Sequence, residues 1–510
     1  MELGNIDNGS RLAKHACTSC RNRKRKCDKL LPQCFLCTKK GLNCVYVSEA
    51  SPPLLSPSSD GLFPATGLEA PKFPAVFFLD TNIFQKAQIN IPKTELATPK
   101  YVLNLIGDLS EWRNIASKFF DTVHSFMPIV SRTRFYGRLL NPLAPRRNDV
   151  ALLVLCMRLA GMLPAGVSMS KTPEYLAAKR FHAELEASGG FSPQILQSGV
   201  LIALYEYGHG IYPAAYLTIG ACARYGISSG MDGTGASQMP PPSDWIEAEE
   251  RKRIWWAVLI MDRVVNLGSP TRTLATQEPH PSSMLPIEDD LWDQGTIMSS
   301  ETFTVVSPSS LKIGRFARFA QAIFLLGRVY KHVSDFTASR DFLDEEATQL
   351  RRTLQALAKI VDIEGQTNKL QFCTQTGLCF SGMLLLQESY ISPISAPSPD
   401  IHFWDPTLPV AESIANEAAR IARGFIRIVH DFVHSGKYNH PSELVSPFIL
   451  HLFYHSQTIH WEKARTTGSE SAAEGAKALT AVLKVMDDRW KVAGEYLEIL
   501  QARELTYFGR

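Results

Sequence analysis

The chain has 510 residues, 45% hydrophobic and 20% charged, an ordinary globular composition that excludes a wholly disordered protein. The best candidate for a membrane span, residues 151–167, is broken by Arg158 and Pro164, short of the roughly 20 uninterrupted apolar residues a span needs. The first residues lack a basic stretch followed by an apolar one, so neither a secreted nor an integral membrane protein is expected.

The net charge of +3 conceals an asymmetry. Residues 1–50 carry ten Lys and Arg against four Asp and Glu, while the remainder carries 43 against 46. A small basic head on a near-neutral body points to a polyanion partner for the head alone. Residues 1–14 read as a disordered N-terminus. Then six of the ten cysteines follow as Cys17, Cys20, Cys27, Cys34, Cys37 and Cys44, so that the unit C-x2-C-x6-C occurs twice. A tight turn brings both sulfurs of each C-x2-C pair to one ion, and the third cysteine returns after a short helix. Three thiolates leave a tetrahedral zinc one ligand short, so six sulfurs around two ions need two bridges. The first cysteine of each repeat, Cys17 and Cys34, is the natural bridge. Disulfides are the rival reading, but without a secretion signal a reducing compartment favours thiolates and metal. Cys156, Cys222, Cys373 and Cys379 lie among apolar residues and read as core.

Between Cys20 and Cys27 runs Arg21-Asn22-Arg23-Lys24-Arg25-Lys26. A helix here is too short to persist alone, so metal ligation and folding should be coupled. Basic side chains on it suit the O6 and N7 acceptors of guanine in the major groove. Such a run also serves as a nuclear-import signal, which is compatible. Residues 17–44 resemble the zinc binuclear cluster (Zn2Cys6) DNA-binding domain of fungal transcription factors, with every ligand position filled and Pro32 in the joining loop. The resemblance implies two Zn2+ ions per chain. It also implies a nuclear regulator of RNA polymerase II genes that binds CGG-type triplets in double-stranded DNA. By position, Arg23 and Lys24 match the two base-reading residues, Lys24 foremost. Arg21, Arg25, Lys26 and Lys29 would meet phosphates.

The head is taken as residues 15–47. Residues 48–75, with six prolines and several serines, read as a semi-rigid linker. No heptad seam follows Cys44, where many relatives carry a coiled coil that sets dimerisation and site spacing. From 76 to 510 the chain reads as helices, giving a mainly all-α protein. Ser192-Pro193 opens one whose face runs through Ile195, Leu196, Gly199, Val200 and Ala203, closed by Gly208 and Gly210. Pro213 opens its hairpin partner. Residues 247–265 form a longer helix with a charged start and a buried second half. Further helices start near Lys312, Asp341, Gln371, Ala411, Ser442 and Ala472. The last carries Leu479, Val482, Met486, Ala493, Tyr496 and Leu500. A Pro- and Ser-rich stretch, 391–409, breaks the array.

Residues 214–227, 249–270 and 285–292 resemble the fungal transcription factor regulatory domain, the middle homology region, over roughly residues 110–330. Three features invite further readings. The acidic-aromatic segment 287–293 is structural or an activation segment. His451 and His455 sit four apart, with His460 beyond, but no H-E-x-x-H pattern supports a metal. Trp255-Trp256 packs in the core or lines an effector pocket. No catalytic motif is found, so an enzyme is not expected. The sequence reads as an activator of transcription specific to one secondary-metabolite gene cluster. A repressor, or a broader metabolic or stress regulator with the same head, is the alternative. A homodimer and coactivators or mediator are the protein partners this implies, with no membrane.

Overall fold

The computed structural model describes residues 12–46, 76–79, 97–391 and 409–508, apart from 14, 43, 45, 142–145, 165, 167, 234–238, 297–301, 309–312, 336, 366–368, 436–442 and 444. The 48–75 linker, residues 1–11 and most of the 391–409 stretch thus lie outside the described residues, as do the helix starts expected at Lys312 and Ser442. The chain divides into two units, Met1–Asn90 and Ile91–Arg510. Among the described residues there is no strand, only isolated bridges at Leu12–Leu30 and Met284–Thr304, so the mainly all-α expectation holds.

The first unit holds α1 (Thr18–Asn22) and α2 (Phe35–Lys39), with a single turn at Val76–Leu79. The second runs through α3 (Lys100–Ile106), α4 (Leu109–Asp121), α5 (Asn148–Ala160), α6 (Pro173–Ala187), α7 (Pro193–Gly208), α8 (Ala214–Ser228) and α9 (Trp245–Val264). It continues through α10 (Asp289–Gln294), α11 (Arg315–Val333), α12 (Arg340–Glu364), α13 (Lys369–Ile391) and α14 (Pro409–Ser435). It ends with α15 (Leu450–Thr467), α16 (Glu470–Asp487) and α17 (Val492–Phe508).

The α7–α8 hairpin forms for the expected reasons. The Ser192 hydroxyl accepts the Ile195 N–H, Pro193 opens α7, and Gly210 at φ 65° closes it. Its burial was underestimated by the sequence pattern. Every residue of α7 is buried, not one face, because α5, α6, α8 and α9 pack around it. Two of its buried polar side chains are held by neighbouring segments: the Gln197 amide donates to the Ile129 carbonyl at 2.7 Å, and Glu206 accepts from Tyr175 at 2.8 Å.

Burial in α9 is not confined to its apolar second half: in the charged start, Glu249, Glu250 and Arg253 are buried as well. Arg253 donates to Glu249 at 3.0 Å, Asp289 at 2.7 Å and the Ile287 carbonyl at 2.8 Å, and it lies 4.1 Å over the Trp292 ring. Glu250 pairs with Arg134. The acidic segment 287–293 is therefore built into the fold, with Asp289 and Trp292 buried against α9.

The C-terminal expectation of one long helix needs correction. The chain turns between α16 and α17 to bury Trp490, whose N–H donates to the Val445 carbonyl at 2.8 Å. Beside it Arg489 donates to the carbonyl ends of α5 at Ala160 and Met162. His451, His455 and His460 share α15 and are largely buried; an added methyl on Gly475 would collide with the His460 ring. Trp256 is core, its N–H donating to the Met284 carbonyl at 3.0 Å, while Trp255 closes over Gly226.

Candidate metal centre and nucleic-acid face

Both short helices of the head begin on a cysteine. Cys17 and Cys34 are N-caps with extended backbone, and each sulfur accepts the N–H three residues on, from Cys20 at 3.5 Å and from Cys37 at 3.4 Å. Sulfur here takes the place of the usual Ser or Asp oxygen. The Asp28 carboxylate ties down the connecting loop, accepting the Phe35 N–H at 3.0 Å and the Leu30 N–H at 3.4 Å. The Leu31–Pro32 peptide in that loop is cis. The Tyr46 hydroxyl donates to the Leu30 carbonyl at 2.9 Å and lies 3.8 Å from the Cys27 sulfur.

The cysteine sulfurs converge. Cys17, Cys20, Cys27 and Cys34 form one quartet and Cys17, Cys34, Cys37 and Cys44 another, each with its ligand atoms within 4.8 Å of one another. Cys17 and Cys34 belong to both. Tetrahedral zinc with Zn–S bonds of about 2.3 Å sets its sulfurs roughly 3.8 Å apart. The separations of 3.7 Å for Cys17–Cys34, 3.6 Å for Cys17–Cys37 and 3.7 Å for Cys20–Cys34 suit that geometry. The donor set therefore fits two ions. Burial and neighbouring sulfurs push the Cys20 thiol up, and Cys37 up to about 12. Six thiolates packed this closely need cations to balance them. Among the described residues these quartets are the groups able to hold a metal; the α15 histidines form none. Cys156, Cys222 and Cys379 are buried free thiols, and Cys373 is half-buried.

The basic run departs from the expected helix. Helix α1 stops at Asn22, Arg23 caps it, and Lys24 turns into the left-handed region at φ 49°. The Arg25 N–H then returns to the Cys20 carbonyl at 2.9 Å. The second repeat does the same: Gly41 has φ 60° and the Leu42 N–H meets the Cys37 carbonyl at 2.9 Å. Lys24 and Gly41 each stand seven residues after the first cysteine of their repeat. Where glycine serves one repeat, the other holds a lysine in a conformation that costs a side-chain-bearing residue about 1 kcal/mol. Arg21, Arg23, Lys24, Arg25, Lys26 and Lys29 are all exposed, and Lys29 too has positive φ, 61°. Sequence reading found these residues but not the turn, since lysine carries no signal for positive φ. The internal repeat, aligned on Gly41, could have found it.

The chain matches the family profile of the fungal Zn(2)-Cys(6) binuclear cluster domain over residues 15–53. It matches that of the fungal specific transcription factor domain over residues 116–371, half its length. The chain belongs to the fungal-specific transcription factor family. Like other members it is a DNA-binding transcription factor, and its zinc cluster takes two zinc ions. The regulatory-domain match extends past the expected 330, into α13. Transcription factor BOA15 of Botryotinia fuckeliana is 34% identical over 35% of this chain and 98% of its own length. The azaphilone cluster-specific transcription factor azaR of Aspergillus niger is 27% identical over 52% of this chain and 62% of its own. The tropolone cluster transcription factor tropK of Talaromyces stipitatus is 21% identical over 94% and 96%. No helix among the described residues is long and apolar enough to cross a membrane.

Proposed function

We propose that this family member is a nuclear, pathway-specific activator that recognises CGG-type triplets and controls a secondary-metabolite gene cluster. The names of azaR and tropK support the pathway reading. In this reading residues 15–47 are the DNA-binding head, 48–75 a linker and 76–510 the regulatory body, with no catalytic role. Cys17, Cys20, Cys27, Cys34, Cys37 and Cys44 hold the two zinc ions, Cys17 and Cys34 bridging. The zinc supplies fold and positive charge, not chemistry. A homodimer would present two heads to paired half-sites, and the body would meet coactivators. A repressor uses the same head; a reporter fusion of residues 110–510 decides the sign.

The observation that carries the reading is the exposed turn at Lys24. The left-handed backbone lifts its side chain at the end of α1, and the side chain makes no ion pair with another described residue. Lys24 and Arg23 would donate to guanine O6 and N7, while Arg21, Arg25, Lys26 and Lys29 neutralise phosphates. Chromatin occupancy in the native host, with an Arg23/Lys24 double variant as control, tests it. Mutant-sensitive peaks over one block of neighbouring genes are expected. Dispersed mutant-sensitive peaks would mean a broad regulator instead.

A further inference from the structure

Two cavities in the helical body have the size of a metabolite site. One, of about 940 Å³, runs beside Trp255 and Trp256. Its cations are already engaged, Arg251 with Glu247 at 2.6 Å and Lys252 with Glu249 at 2.8 Å. The other, of about 490 Å³, opens where the α7–α8 hairpin, the segment after α9 and helix α17 converge. Tyr207, Tyr212 and Tyr216 come from the hairpin, Tyr496 from α17 and Arg272 from the segment after α9. Tyr207 is buried, and half-buried Tyr496 is stacked on Tyr454 at 4.7 Å, so the inner wall is fixed. Tyr212 is 48% exposed and Tyr216 36%, which puts two large aromatic rings at the mouth. Arg272 is exposed, makes no ion pair with another described residue, and is near enough for its charge to act on the Tyr212 phenol.

Four aromatic rings around one uncompensated guanidinium have a definite ligand chemistry. The rings offer flat apolar area to a planar body. The guanidinium fork matches the two oxygens of a carboxylate. The protonated phenols donate hydrogen bonds without adding negative charge. A cationic ligand would meet repulsion, and a neutral one would leave Arg272 unused.

We propose that this tyrosine-lined cavity binds a planar aromatic carboxylate, with Arg272 at the carboxylate end. The site joins the hairpin, inside the family-matched region, to α17, outside it. A ligand there ties the last helix to the centre of the body and gives the body a means of sensing a metabolite. The binding itself does not depend on how the head reads DNA; only its regulatory use does.

The test is calorimetric titration of the full zinc-loaded chain with 1-naphthoate and with its neutral counterpart 1-naphthamide. One saturable naphthoate site per chain is expected, with the amide weaker by about tenfold or more, the loss of one charge-assisted pair. Arg272→Gln should lower naphthoate to the level of the amide and leave the amide unchanged. Tyr212→Ala should weaken both. Both side chains are exposed, so wild-type thermal melts are expected of the variants. Equal affinity for acid and amide, discrimination that survives Arg272→Gln, or no saturation by millimolar naphthoate would overturn the proposal. Saturation by an acidic peptide with none by naphthoate would overturn it in favour of a protein partner.

Discussion

The head and the body each enclose a charged centre, and they do so by opposite means. In the head the enclosed groups are six sulfurs, flanked by helices of five residues each, and among the described residues the hydrophobic side chains packed around them are few. In the body Arg253, Glu249 and Asp289 are enclosed by helices of up to 27 residues and a continuous apolar core. A helix of five residues cannot hold itself together in water, so ligation must supply the folding energy of the head. The body draws its stability from apolar burial, and its buried ions are tolerated because they are paired. The two regions should therefore fail under different insults.

The largest expected effect is on the head. Removing zinc with a chelator should abolish its structure and DNA binding while the main thermal transition of the body stays in place. A parallel loss of body structure would break the contrast. Within the cluster, Cys34→Ala removes a sulfur common to both quartets, whereas Cys44→Ala touches one. Zinc counted per chain by elemental analysis should fall from two to none in the first and from two to one in the second. Tight retention of one zinc in Cys34→Ala would sink the bridging assignment.

The next effect belongs to the body. Arg253→Ala leaves Glu249 and Asp289 buried without their shared partner, and breaking such a pair costs about 3–5 kcal/mol. Thermal or urea melts of the full chain should show that loss, while zinc content and DNA affinity remain as in the wild type. A loss below about 1 kcal/mol would place the network at the low cost of surface pairs.

How far each region was legible follows from the same contrast. The two cysteine quartets of the head were legible because metal chemistry fixes residue type and spacing together, and both sit within 28 residues. The α7–α8 hairpin was legible because Ser192, Pro193 and Pro213 act locally. The buried start of α9 was not. Charged residues there look solvated until Asp289, 36 residues on, and Arg134, more than 100 residues back, arrive to pair them. The break between α16 and α17 was hidden likewise, since Arg489 finds its acceptors 327 and 329 residues away.

Two smaller effects come from the aligned position where one cysteine repeat holds lysine and the other glycine, both at positive φ. Lys24→Ala should cost roughly 1–3 kcal/mol of binding at a CGG triplet, seen by anisotropy titration at fixed salt. An equal loss on scrambled DNA would instead make Lys24 a phosphate contact. Alanine, however, keeps the strained backbone. Lys24→Gly removes the side chain and relieves the turn, making the first repeat like the second. It should lose the same binding yet hold zinc at least as tightly as the wild type. The reciprocal change, Gly41→Lys, places a Cβ at φ 60° with no atom beyond its chain neighbours within 4 Å, so backbone strain is the main cost at issue. Its expected cost is about 1 kcal/mol in zinc-dependent folding with no new base preference. If Gly41→Lys is neutral while Lys24→Gly is destabilising, the side chain of Lys24 supports the cluster itself. Strain at that turn would then not be a cost borne for recognition.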